Sequence, residues 1–101
     1  MNIIEQLMGG CYNGLVIGTE VEVGDAKNIS PPEGQHHFDL EQLQDAVGGY
    51  IQIVLVPRSK MIMAINEDGR LKGLALNPIA SMIANQVIVG PACIINRDQL
   101  E

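Results

Sequence analysis

Apolar positions along the chain fall into short runs, and the spacing inside each run selects its element. Ile3, Ile4 and Leu7 share one helical face within residues 2–8, and Gly9-Gly10 close that turn. So short a helix holds only when docked on something else. From Leu15 to Val23 the pattern reads as a strand, because Val21 and Val23 alternate with Glu20 and Glu22 as on a half-exposed sheet face. Residues 24–37 predict a long loop. They carry Gly24, Pro31-Pro32 and Gly34, and consecutive prolines block a sheet ladder while holding the chain extended. A helix then begins, with Leu40, Leu43, Ala46 and Val47 at helical spacing. Asp39 suits its N-cap, Gln42 fits a capping box three residues on, and Gly48-Gly49 end it.

Tyr50 to Val56 is rich in β-branched residues and too short for a lone helix. Pro57 to Lys60 makes a turn, and Met61 to Ile65 answers as a second strand, so the pair reads as a β-hairpin. Both strands are nearly continuous in apolar residues, which predicts cover on both faces, at the centre of a sheet or at a subunit interface. Asn66 to Gly69 is a turn signal. Arg70-Leu71-Lys72-Gly73-Leu74 alternates briefly, which would set Arg70 and Lys72 on one strand face. Asn77 and Pro78 open a short helix with Ile79, Met82 and Ile83 turned inward. Gln86 to Val89 reads as a strand that Gly90-Pro91 interrupts and Ala92 to Ile95 resumes, before a polar tail from Arg97 to Glu101. The expected fold is a single α+β domain over residues 1–101. It has a small mixed or antiparallel sheet with a central β-hairpin (about 50–56 and 60–66), one main helix (about 40–48), one short helix (about 78–84), and a Pro/Gly-containing loop at about 24–37.

A chain of 101 residues can bury one core without staples. With only Phe38, Tyr12 and Tyr50 as aromatics and no Trp, that core must be aliphatic, and platforms for stacking nucleic-acid bases are missing. The formal charge of −6 is uneven. Residues 1–57 hold eight acids against the single base Lys27, whereas residues 58–101 hold five bases against four acids. An acidic chain is repelled by phosphate backbones, so duplex nucleic acid is a poor partner. Cys11 and Cys93 sit in apolar contexts; free thiols in a reducing cytosol are expected, with a disulfide left open. No secretory pattern and no membrane-length apolar run is visible, which predicts a soluble, cytoplasmic protein.

Candidate chemistry is sparse. His36-His37 are the only histidines; adjacent strand positions point to opposite faces, so one metal would rarely take both, and no CxxC or HxxxH spacing exists. No serine lies in a nucleophile elbow, and neither cysteine neighbours a histidine in sequence. Neither Gly-Gly pair has the spacing or the lysine of a phosphate loop. These readings predict no catalytic residue, no metal and no cofactor. Arg58 and Lys60 at the hairpin turn, and Arg70 and Lys72 after the second turn, are the more promising set. If these segments pack together, the four would form a small anion site with Asn66 or Asn77, since arginine makes bidentate contacts with phosphate.

The runs LEQLQDAVGGYI (40–51), NEDGRLKGLALN (66–77) and VIVGPA (87–92) together resemble a small domain family of unknown function common in bacteriophages, plasmids and bacteria. The resemblance spans about residues 38–95. It implies an accessory gene of a mobile element, and it carries over no functional residue. The leading expectation is therefore a non-enzymatic phage or mobile-element protein acting by stoichiometric binding in the host cytoplasm. In its sharper form it is a homo-oligomer that sequesters a small host immune signal, such as a cyclic nucleotide, in pockets between subunits. The alternatives are an acidic inhibitor of a host nucleic-acid-binding protein and a small nucleotide hydrolase using His36 or His37.

Overall fold

The computed structural model describes residues 14–19 and 26–100. Its strands are β1 (Gly14–Ile17), β2 (Ala26–Ile29), β3 (Ile51–Leu55), β4 (Met61–Asn66) and β5 (Ala92–Asn96), and all but β2 grow from aliphatic runs. They pair in the order β2-β1-β5-β4-β3, and every pairing is antiparallel. The helices are α1 (Leu40–Val47) and α2 (Pro78–Ala84), and a 3-10 turn spans Arg97–Gln99. The result is the expected α+β class; β4 is internal, but β3 forms one edge with Gln52 and Leu55 exposed, so the expected cover on both faces is corrected to β4 alone.

Register explains why β4 and β5 are apolar at successive positions. Val16 pairs with Cys93, Cys93 with Ala64 and Ala64 with Ile53, and this row lies on the face that packs with Leu43 and Ala46 of α1 and with Phe38. One residue along, Leu15 pairs with Ile94, Ile94 with Met63 and Met63 with Val54, on the opposite face with Ala80 and Ala84 of α2 and with Ile88. A strand covered on both sides gains from an apolar side chain at each position, rather than at alternate ones. Ile94 is wholly buried, and a side chain of that size contributes about 1.5–3 kcal/mol relative to exposure.

Local signals hold α1 as the sequence predicts. Asp39 N–H donates to Gln42 Oε1 at 3.0 Å, and Gly48 caps the far end at φ 79 with its N–H on the Gln44 carbonyl at 2.8 Å. In α2 the inward stripe is Ala80 and Ala84 with Ile79 and Ile83 half-buried beside it, while Met82 is 82% exposed. At about 100° per residue Met82 lies nearly opposite Ala80, so the expected inward Met82 is corrected.

Four further expectations change. Within the expected loop at 24–37, Ala26–Ile29 forms edge strand β2, because β1 supplies a ladder that composition does not reveal. Residues 70–74 are a turn rather than a strand: Lys72 N–H bonds the Asp68 carbonyl and Leu74 N–H that of Gly69. Gln86 to Val89 forms no strand, only a bridge between Val89 and Leu76, since Gly90 at φ 79 turns the chain away. The expected polar tail folds back, burying Gln99, whose carbonyl accepts from Phe38 N–H at 2.9 Å, while Leu100 bridges Phe38. The expected helix at 2–8, the alternation at 20–23 and Cys11 lie outside the described residues. Among the described residues no helix is long and apolar enough to cross a membrane.

Candidate functional site

The candidate anion-binding residues divide between the two ends of the hairpin. Arg58, at φ 60, and Lys60 belong to the β3–β4 turn, which Ser59 braces by donating to the Val56 carbonyl at 3.1 Å and accepting from Met61 N–H at 3.0 Å. Asn66, Arg70 and Lys72 lie beyond the other end of β4. Crossing β4 at roughly 3.3 Å per residue separates the groups by about 17–20 Å, too far for one small ligand. The single basic cluster expected from sequence is therefore corrected to two separate ones.

Asn66 and Asn77 are built into the scaffold. Asn66 Nδ2 donates to the Val47 carbonyl at 3.0 Å and its Oδ1 accepts from Asp68 N–H at 2.8 Å, tying the end of α1 to the turn after β4. Asn77 is fully buried. Its Nδ2 donates to the carbonyls of Ile17 and Gly90 at 3.0 and 2.9 Å, and its Oδ1 accepts from Ala80 N–H at 3.1 Å as the cap of α2. Both carboxamides are occupied inside the fold, so these two residues hold the turns that present other groups.

Arg70 and Lys72 face different concavities. Lys72 borders an open depression of about 480 Å³ with Asp45, Gly48, Gly49, Tyr50 and Asp68. A methyl at Gly49 would fall 3.1 Å from Lys72 Nζ, so the missing side chain lets the ammonium lie against the C-terminal end of α1. That end carries partial negative charge, which accounts for the lysine; with Asp45 and Asp68 alongside, the depression does not suit an anion. Arg70 borders a groove of about 310 Å³ between β3, the turn after β4 and residues 86–89. Val54, Ile65, Leu71 and Val87 give it apolar walls, and Gln52, Glu67 and Gln86 add polar groups. Leu71 is 90% and Val87 59% exposed, unusual for aliphatic side chains on a surface turn. Arg70 makes no ion pair among the described residues.

Elsewhere the titratable groups are scattered. His36 Nε2 lies 3.4 Å from Asp98 Oδ2, and the His36 and His37 rings meet edge-on at 5.3 Å; both members of the His36–Asp98 pair stand exposed on the surface. Among the described residues no group of His, Cys, Asp and Glu is placed to hold a metal ion. Cys93 is free and wholly buried, and burial pushes its thiol up to about 12, so it stays protonated and unreactive. Sequence reasoning missed Gln52, Val54, Ile65, Glu67, Leu71, Gln86 and Val87 as groove residues. The one local hint was Leu71, an aliphatic residue between two bases in a turn.

The geometry defines a small α+β domain: an antiparallel sheet with a helix on each face, and a surface groove between its β3 edge and two turns. The chain belongs to the family described as Domain of unknown function (DUF3846), whose family model matches residues 14–101. No curated protein and no solved structure matches it.

Proposed function

We propose that this protein is a non-enzymatic accessory protein of a phage or other mobile element that acts by stoichiometric binding, and that the Arg70 groove takes a small anionic ligand of nucleotide type. A host immune signal such as a cyclic nucleotide has that chemistry. One observation carries the reading: an arginine without an ion-pair partner among the described residues stands beside an apolar-walled groove. A guanidinium meets a phosphate with two parallel charge-assisted bonds. Val54, Ile65 and Val87 offer a surface for the flat face of a base, and Gln52, Gln86 and Glu67 offer donors and acceptors for its edge or for sugar hydroxyls. A volume of about 310 Å³ lies at the lower end of the range for small-molecule sites, which suits one nucleotide unit per groove.

Isothermal calorimetry with a panel of cyclic mono- and dinucleotides tests the reading. Wild type binds at least one of them at saturable stoichiometry, and the ligand is recovered chemically intact. Arg70→Ala weakens binding about 10- to 100-fold, as expected for one charge-assisted contact. Arg58→Ala, at the far end of the hairpin, leaves affinity unchanged. Absence of heat with every member of the panel would defeat the proposal, and conversion of the ligand would defeat its non-enzymatic part.

A further inference from the structure

We infer that β3 is a self-pairing edge, and that a second copy of this chain adds its own β3 antiparallel about a two-fold axis through Ile53, completing the Arg70 groove from outside.

β3 is the last strand of the sheet. Which of its backbone groups face outward follows from two bonds on the inner side. Val56 N–H donates to the Met61 carbonyl, and the Tyr50 carbonyl accepts from Glu67 N–H. Hydrogen-bonded and non-bonded positions alternate along an antiparallel strand, so Tyr50, Gln52, Val54 and Val56 turn their backbone groups toward β4. Ile51, Ile53 and Leu55 turn theirs outward, where no β-ladder partner lies among the described residues.

Edges that must stay single usually carry a lysine, a proline or a bulge. Ile51–Leu55 has none of these, and the whole stretch from Tyr50 to Pro57 has no charged residue. A chain of net charge −6 repels its copies, and a neutral segment is where two of them can approach with least opposition.

The register is self-complementary. With Ile53 opposite its counterpart, Ile51 of each copy lies opposite Leu55 of the other, and all three outward-facing residues exchange both backbone bonds with the second strand. Their side chains lie on the α1 face, where Ile51 and Ile53 are half-buried and Leu55 is 62% exposed. The pairing brings aliphatic residues together at each of these positions and covers Leu55. On the other face Gln52 lies opposite Val54 of the second copy, and both residues line the groove. The two grooves thus meet across the axis, each bordered by the second copy's Val54 and Gln52, which gives a dinucleotide twice the length of a single groove. This last step rests on the ligand reading above; the pairing itself does not.

Light scattering after size exclusion, at millimolar chain concentration, should give twice the chain mass for wild type and the single-chain mass for Leu55→Lys, whose exposed position spares the fold. Under mild oxidation Ile53→Cys should form a covalent dimer, because paired Cα atoms about 5.5 Å apart suit a disulfide. Leu55→Cys, opposite Ile51 and remote from its own copy, should cross-link no more than wild type. A monomeric wild type, a dimeric Leu55→Lys, or equal cross-linking by both cysteine variants would overturn the pairing. A dimer that binds no nucleotide would keep the pairing and defeat the ligand reading, and a monomer that binds nucleotide would do the reverse.

Discussion

Replacing Asn77 tests how the fold holds the turns around the groove. Its side chain performs two separable tasks: Oδ1 caps α2 through Ala80 N–H, and Nδ2 bridges the carbonyls of Ile17 at the end of β1 and Gly90 before β5. Asn77→Ala removes both. Loss of the cap costs about 0.5–2 kcal/mol. Two carbonyls are then left in a wholly buried site without that donor, at roughly 1–3 kcal/mol for each group left unsatisfied. The terms overlap, so a loss of about 3–5 kcal/mol is expected, a large part of the 5–15 kcal/mol typical of a domain. Asn77→Asp separates the tasks. It keeps the acceptor for Ala80 but, when ionised, donates nothing and sets a buried charge against two carbonyl oxygens. It should therefore be at least as unstable as Asn77→Ala at neutral pH, and should recover in part as pH falls and the protonated acid regains one donor. Urea unfolding followed by far-UV circular dichroism measures both variants. A loss under 1 kcal/mol for Asn77→Ala, or an Asp variant as stable as wild type, would refute the network as the source of this rigidity.

Two other positions give sharp expectations. Cys93 should resist thiol reagents in the folded protein and react only after unfolding, as read by mass spectrometry at that residue. Its folded thiol holds a proton up to about 12 against an ordinary 9.0, so the unfolded chain releases the proton first. Stability should fall by about 1.4 kcal/mol per pH unit between those values, a slope that Cys93→Ala lacks. An equal alkaline slope in the two proteins would contradict this. At Gly90, φ is +79 and an added methyl would fall 2.7 Å from Leu74 Cδ1. Gly90→Ala should cost about 2–3 kcal/mol in urea unfolding, from left-handed strain plus overpacking. An unchanged midpoint would show that the turn relaxes freely.

The parts of the fold legible in the sequence are those fixed by neighbouring residues. Asp39, Gln42 and Gly48 mark both ends of α1, and Asn77-Pro78 marks the start of α2, because caps are satisfied within one helical turn. The β3–β4 hairpin needs only its own turn. Of the two apolar hairpin runs expected to be covered on both faces, β4 is covered and β3 is not, because β3 ends the sheet and leaves Gln52 and Leu55 exposed. What stayed hidden depends on distant partners. Ala26–Ile29 has no strand signal of its own and becomes β2 only through its register with Gly14–Ile17. Asn77 displays its capping role in sequence, but its bond to Ile17 exists only once β1 lies beside β5, and its bond to Gly90 only once Leu76 and Val89 bridge. The groove draws on three separate segments, and spacing along the chain could not show that Arg70 joins Val54 and Val87 while Lys72 turns to the end of α1.

Ligand binding in the Arg70 groove is read residue by residue in an amide proton–nitrogen correlation spectrum of the labelled protein titrated with a cyclic nucleotide. A groove that binds should give shifts that saturate with one ligand-binding event per groove and cluster at residues 52–54, 65–71 and 86–89. Shifts centred on Arg58 and Lys60, shifts centred on Gly48 and Lys72, or none at saturating ligand would contradict binding there.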